Sequence, residues 1–107
     1  MASDRVKGHL DGLLLAVLED EPLHGYAVIE ALQRRSGGSL DLPTGTVYPA
    51  LRRLEDARWI KGSWSVVGGR KRRTYTLTAA GRRALDRERV AWKEFAGSIS
   101  SVLGGPR

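Results

Sequence analysis

Residues 43–55 read PTGTVYPALRRLE, and the pattern within this stretch decides the fold. Its apolar residues recur at helical spacing and predict one buried helix face, formed by Val47, Ala50, Leu51 and Leu54. Thr44 is a favourable N-cap, so we expect the helix to run from there to about Ala57. The opposite face is polar and carries Thr46, Pro49, Arg52 and Arg53. The centre of the chain is therefore predicted to be a helix with an apolar back and a cationic front.

Two further helices are predicted upstream of this stretch. Five apolar residues follow the i, i+3, i+4 pattern of one helix face: Leu10, Leu13, Leu14, Val17 and Leu18. That helix is expected to end near Asp20, because Pro22 follows it. A second helix is expected over residues 25–35, and the run Ser36-Gly37-Gly38 ends it.

A hairpin and a long helix are predicted downstream. Residues 60–67 and 72–77 are rich in Val, Thr, Tyr and Trp, which indicates two β strands joined by a cationic tip at residues 68–71. Thr78 is the expected N-cap of a final helix over about residues 79–103. This order predicts a mainly α (α+β) winged helix-turn-helix over residues 1–78, with a C-terminal helix over 79–107 in one compact unit.

The composition limits the class of protein. All 107 residues fit a single domain, with 41% hydrophobic and 28% charged residues. Because there is no cysteine, disulfides and thiolate metal sites are excluded. No apolar run is long enough to cross a bilayer, and Asp4 and Asp11 bracket the first short apolar run, unlike a signal peptide. We therefore expect a cytoplasmic protein with no membrane partner and no cofactor.

The net charge of +6 is unevenly distributed. Residues 1–51 hold four Lys/Arg against seven Asp/Glu, a charge of −3, whereas residues 52–107 hold fourteen against five, a charge of +9. Such a basic half suits a nucleic acid, from which Lys and Arg release condensed counterions. A membrane surface would also attract this charge, but the basic residues do not form the polar face of an isolated amphipathic helix.

The cationic segments predict binding to double-stranded DNA. The central helix is expected to enter the major groove and to contact DNA through Thr44, Thr46, Tyr48, Pro49, Arg52 and Arg53. Folding gains nothing from clustering cations at a hairpin, so phosphate contacts are predicted for the wing residues Arg70, Lys71, Arg72, Arg73 and Tyr75.

Several motifs resemble the PadR family of transcriptional regulators. They are Leu23-His24-Gly25-Tyr26, the run from Pro43 to Glu55, Gly68-Gly69-Arg70, and Tyr75-Thr76-Leu77-Thr78-Ala79-Ala80-Gly81. The resemblance covers roughly residues 10–85 and implies a winged helix-turn-helix homodimer, usually a repressor, on a pseudo-palindromic operator. Lys71 and Thr74 depart from a proline and a second tyrosine common in the family. The single helix after the wing resembles the short subfamily.

The final helix carries a seam at alternating steps of three and four residues: Leu85, Glu88, Trp92, Phe95, Ile99 and Val102. So small a domain has little core left to cover such a stripe, which predicts a partner helix. The alternative is packing against the first helix of the same chain, and both contacts are compatible. The predicted dimer contacts are Leu10, Leu14, Leu85, Trp92, Phe95, Ile99, Val102 and Leu103.

The resemblance also implies candidates for an effector site. Members of the short subfamily that bind drugs place a tryptophan on this helix to stack on flat aromatic molecules, and Trp92 holds a similar place. A Trp on an apolar stripe also serves simply as core or interface. A metal-responsive regulator is the alternative, with His9 and His24 as the candidate ligands and Asp4 or Asp11 close to His9 in sequence.

Two other classes of protein compete with a DNA-binding regulator. The sequence holds no nucleophile-and-base pattern, no phosphate loop and no clustered carboxylates, so an enzyme is not expected. Winged helices also serve as protein-interaction modules. Because cations are concentrated at the wing, the sequence favours a DNA-binding protein over a protein-interaction module.

Overall fold

The computed structural model describes residues 6–104 and has the predicted order of elements. After a 3-10 turn at Lys7–His9, four helices and three strands follow: α1 (Leu10–Val17), β1 (Leu23–His24), α2 (Gly25–Arg35), α3 (Thr44–Asp56), β2 (Ile60–Val67), β3 (Arg70–Leu77) and α4 (Ala79–Leu103). The predicted fold class, three helices followed by a wing and a long C-terminal helix, is confirmed.

The wing belongs to a three-stranded antiparallel sheet with the order β1-β3-β2. The sequence predicted a two-stranded hairpin and missed β1, because two residues are too short to show an alternating pattern. The predicted tip was also too long. Only Gly68 and Gly69 form the turn, and both have left-handed φ angles of 59° and 78°. Such a two-residue turn matches the twist of the strands, so β3 begins at Arg70 rather than at Arg72.

The apolar face predicted for α3 is buried. Val47, Ala50, Leu51 and Leu54 are all covered in the core. The rest of the core comes from α1 and the residue that follows it, α2, the loop before α3, the base of the hairpin and the first turns of α4: Leu10, Leu14, Leu15, Val17, Leu18, Val28, Ile29, Ala31, Leu32, Leu42, Ile60, Leu77, Ala84 and Leu85. Helix α3 thus rests on the centre of the domain, and its polar face points outward.

The helix ends correct two predictions. Pro43, and not Thr44, is the N-cap of α3, and its carbonyl accepts hydrogen bonds from the amides of Thr46 (3.0 Å) and Val47 (3.1 Å). Proline suits this position because its fixed φ leads into the helix and its missing N–H is not needed there. Helix α1 ends at Val17 instead of near Asp20. At α4, by contrast, the Thr78 hydroxyl accepts from the Gly81 amide at 3.0 Å, which confirms the predicted cap.

Helix α4 extends beyond the core, and the described residues span 54 × 28 × 21 Å. Its first turns are buried at Ala84 and Leu85. Further along, Arg89 donates two hydrogen bonds to Glu19, two residues after the end of α1, at 2.8 and 3.1 Å. The hydrogen bond from Arg89 lowers the pKa of the Glu19 carboxyl below its ordinary value. No helix among the described residues has the length and apolarity needed to cross a membrane.

Candidate nucleic-acid interface

A cleft separates the exposed side of α3 from the wing. Residues from β1, α2, α3, β2 and β3 line it: His24, Gly25, Tyr26, Tyr48, Arg52, Glu55, Asp56, Trp64, Arg70, Lys71, Arg72, Arg73 and Tyr75. The fold therefore brings together two groups that are separate in sequence, the polar face of α3 and the cationic hairpin. This cleft contains seven of the eleven residues predicted to contact DNA: Tyr48, Arg52, Arg70, Lys71, Arg72, Arg73 and Tyr75.

The strand pairing divides the four wing cations between two faces. Successive side chains of a strand point to opposite sides, so Arg70 and Arg72 lie on the face opposite Lys71 and Arg73. In the register of the hairpin, Arg73 is opposite Trp64. Arg70, Lys71 and Arg72 are exposed, and no other described residue forms an ion pair with them. Three cations of the wing are therefore available to an anionic partner.

Arg73 has a different environment from its three neighbours. Its guanidinium donates to both carboxylate oxygens of Glu55 on α3, with Nε to Oε1 at 3.3 Å and Nη2 to Oε2 as the second contact. It also lies 5.2 Å from the centre of the Trp64 ring. The hydrogen bond to Glu55 raises the pKa of Arg73 above its ordinary value. Arg73 is thus held within the protein, although the sequence placed it with the phosphate ligands.

The two arginines of α3 point to different places. Arg52 lines the cleft and forms no ion pair with any other described residue. Arg53 instead pairs with Asp11 of α1 and is absent from the lining of the cleft. Thr44 and Pro49 are exposed on the first half of α3, and Thr46 is half-buried there. Arg52 is consequently the cation through which α3 faces the cleft.

The tyrosines of the cleft are partly fixed by packing. A Cβ atom on Gly25 would lie 2.9 Å from Cε1 of Tyr48, so the Tyr48 ring rests directly against the start of α2. Tyr75 is half-buried, and burial raises the pKa of its hydroxyl above the ordinary value, with the nearby Glu55 carboxylate adding to the shift. The exposed Tyr26 also lines the cleft.

Sequence reasoning gave no role in this site to Tyr26, Glu55 or Trp64. The signal for Trp64 was present, because a two-residue Gly68-Gly69 turn sets the register that places Trp64 opposite Arg73. No comparable signal exists for Glu55. Its contact with Arg73 joins two elements whose relative position depends on tertiary packing.

The two histidines lie in unrelated places. Nδ1 of His24 accepts a hydrogen bond from the Ala27 amide at 3.4 Å, so His24 caps α2. The ring of His9 contacts Trp92 edge-on at 5.1 Å between ring centres. Within residues 6–104, no group of three or more His, Cys, Asp or Glu side chains is arranged to hold a metal ion. Of the two carboxylates considered with His9, Asp11 pairs with Arg53, and Asp4 is outside the described residues.

A second, mainly apolar groove lies between α1 and α4. Its lining includes the aromatic side chains His9, Trp92 and Phe95. Of the predicted dimer contacts, Leu10, Leu14 and Leu85 belong to the core of the chain itself, and Leu14 has no exposed surface for a partner. The remaining predicted contacts are all exposed: Trp92, Phe95, Ile99, Val102 and Leu103. The first turns of α4 are thus buried in the chain's own core, whereas its later turns expose an apolar stripe.

The fold combines three helices with a cationic wing, and the third helix exposes a polar face beside that wing. This arrangement defines a winged-helix DNA-binding protein. The chain belongs to the PadR-like family of transcriptional regulators, whose family model matches residues 14–87. The members of this family are regulators of transcription, so the chain is a DNA-binding regulator and not an enzyme.

Individual relatives agree with this assignment. The chain is 40% identical over 86 residues to a protein of Mycobacterium tuberculosis called transcriptional regulator Rv3488, covering 80% of this chain and 75% of that protein. The crystal structure of a PadR family regulator from Eggerthella lenta is 26% identical, with a TM-score of 0.84 over 96% of this chain and 88% of that one. A PadR-like regulator from Bacillus cereus is 27% identical, with a TM-score of 0.82 over 97% and 100% of the two chains.

Proposed function

We propose that this regulator represses transcription as a homodimer that binds a pseudo-palindromic operator. The observation that carries the proposal is the position of two surfaces on one chain. The cationic cleft between α3 and the wing faces one partner, and the apolar stripe on α4 is available to another. A two-fold axis along α4 would pair two clefts, and their recognition helices would suit half-sites about 34–36 Å apart.

The apolar stripe supports pairing of two copies of α4. Trp92 and Phe95 remain half exposed, and Val102 is 87% exposed. Burial of a fully exposed apolar side chain contributes roughly 1.5–3 kcal/mol, and burial of a half-exposed one contributes about half of that. Their heptad spacing is the spacing with which one helix covers another, so a second α4 is the natural partner.

The proposal predicts salt-dependent and sequence-specific binding to duplex DNA by two chains per site. The test is a titration of the wild-type chain against a duplex that it selects from a random library, with random DNA as competitor. Arg52→Ala and Arg70→Ala are each expected to weaken binding about tenfold and to reduce the salt slope by about two, since each removes one phosphate contact from each of the two chains. Lys93→Ala, an exposed cation on α4, is the matched control and should bind like the wild type. Wild-type affinity in both arginine variants would contradict the assignment.

The groove between α1 and α4 supports a flat aromatic effector as a second element of the proposal. Trp92 and Phe95 lie 6.1 Å apart between ring centres, His9 adjoins both, and the Glu88 carboxylate lines the same groove. Aromatic faces beside a carboxylate suit a planar cation. An effector bound there would lower DNA affinity only by binding the DNA-free state more tightly than the DNA-bound state.

Planar cationic dyes are therefore expected to quench tryptophan fluorescence in the wild type. The quenching should be much weaker in Trp92→Phe, because the stacking partner is replaced by a smaller ring. Trp64→Phe is the control, since Trp64 lies on the wing and should leave quenching by the groove intact. Fluorescence unchanged by every dye tried would contradict the effector site while leaving the DNA-binding proposal in place.

A further inference from the structure

The contact between Glu55 and Arg73 joins the recognition helix to the wing. Glu55 is in the last turns of α3, and Arg73 is in the middle of β3. Two parallel N–H···O contacts link the guanidinium to the carboxylate, an arrangement that fixes orientation as well as distance. Both side chains are about three-quarters covered, with exposed fractions of 28% and 26%. The pair is consequently better shielded than an ordinary surface salt bridge.

Two residues of β2 complete the enclosure of this guanidinium. A Cβ atom on Gly62 would lie 2.7 Å from Nε and 2.8 Å from Cζ of Arg73, so the group rests directly on the bare backbone there. The ring of Trp64 lies 5.2 Å from Cζ, within the range of a cation–π contact. Arg73 is therefore held by a carboxylate, a glycine and an indole that come from two separate elements.

Such a setting conflicts with a role in binding phosphate. To reach a phosphate, the Arg73 guanidinium would have to give up a bidentate, charge-assisted contact and leave Glu55 unpaired beside a polyanion. Arg70, Lys71 and Arg72 on the same strand carry no such cost. We propose that Arg73 is a positioning residue that, together with Glu55, fixes the wing at a set angle to α3 so that both reach the same DNA. This inference rests on the proposed function.

Substitution of Glu55 distinguishes a positioning role of Arg73 from a phosphate-binding role, because the two roles predict changes in DNA affinity of opposite sign. A carboxylate in a cleft that binds DNA repels phosphate, so its removal by itself should tighten binding. If Glu55 instead holds the wing through Arg73, its removal should weaken binding despite the gain of positive charge. Asp56 lines the same cleft and forms no ion pair with another described residue, which makes Asp56→Asn the matched control.

The experiment measures affinity of the full chain for two duplexes of equal length at several salt concentrations. One duplex is selected by the wild type from a random library, and the other is random. Glu55→Gln is expected to weaken binding to the selected duplex by roughly threefold to tenfold, as for the loss of one coupled contact. Asp56→Asn should bind at least as tightly as the wild type. Arg73→Gln should weaken binding without changing the salt slope, whereas Arg70→Gln, which removes one phosphate contact from each chain, should lower that slope by about two.

Gly62→Ala provides a second variant that changes no charge. The added methyl group would displace only the end of the flexible Arg73 side chain. The fold should therefore persist, while the guanidinium moves away from its position against residue 62. We expect the same threefold to tenfold loss for the selected duplex. Circular dichroism of each variant identifies a temperature at which all variants are folded, and the affinities are measured at that temperature.

Three outcomes would overturn the inference. They are Glu55→Gln binding as tightly as the wild type or more tightly, Arg73→Gln lowering the salt slope by about two as Arg70→Gln does, and Gly62→Ala binding like the wild type. Any of these leaves the proposed function intact, provided that the wild type selects and binds its duplex. A wild type that binds neither duplex overturns the proposed function and this inference with it.

Discussion

Gly81→Ala is expected to destabilise the folded chain by roughly 2–4 kcal/mol, because the first turn of α4 has no room for a methyl group. An ideal Cβ at this position would lie 2.0 Å from the carbonyl oxygen of Trp59 and 2.7 Å from Cδ1 of Leu77. The carbonyl is held in place, since it also accepts a hydrogen bond from the Thr78 amide at 3.1 Å. Relief of this steric clash therefore requires α4 to move away from the hairpin, which would also strain the Thr78 cap.

Gly97→Ala is the control for this prediction, because both glycines are in α4. Nothing lies within 4 Å of a Cβ built on Gly97, so the substitution should stabilise the helix by about 0.5–1 kcal/mol. Urea unfolding of both variants and the wild type at one protein concentration measures the difference in the free energy of unfolding. A Gly81→Ala variant as stable as the wild type would show that the close approach of α4 to Trp59 does not occur.

Phe95→Glu is expected to convert the proposed dimer into a monomer and to reduce affinity for the selected duplex about a hundredfold or more. Phe95 is 49% exposed on the apolar stripe of α4, where a charge facing a second copy would be buried without a partner. Without pairing, each recognition helix binds its half-site alone and the gain from simultaneous binding, roughly 10²–10⁴, is lost. Sedimentation and DNA titration measure the two effects separately.

Val90→Glu is the matched control for this variant. Val90 is 59% exposed on the same helix but lies off the heptad seam and outside the α1–α4 groove. The Val90→Glu substitution introduces the same charge away from the seam, so both dimer formation and DNA affinity should stay close to those of the wild type. A Phe95→Glu chain that still sediments as a dimer would place the pairing surface elsewhere.

Much of the fold could be predicted because its signals are local. The spacing of Val47, Leu51 and Leu54 is the periodicity of a helix with one covered face, and these side chains are indeed buried. Thr78 marks the start of α4 for a similarly local reason, since a hydroxyl there satisfies an amide of the first turn. Strand β1 escaped prediction because its two residues form a strand only by pairing with Thr74 and Tyr75 of β3.

The site was predicted at the level of elements and less well at the level of side chains. Arg52, Arg53 and Arg73 look equivalent in the sequence, as exposed cations of a helix or a wing. The structure separates them, because Arg53 pairs with Asp11 and Arg73 with Glu55, while Arg52 faces the cleft. Leu14 was likewise assigned to a dimer contact, since periodicity predicts burial but does not identify the element that covers a side chain.

The sequence by itself determined which segments form helices and strands, which face of each is apolar and where positive charge accumulates. These properties depend on neighbours within about one or two turns of the chain, where periodicity and capping act. Tertiary structure alone decided which cations remain free for DNA. That outcome depends on carboxylates that are distant in the chain. Asp11, for example, is 42 positions from Arg53, and only packing brings the two within hydrogen-bonding distance.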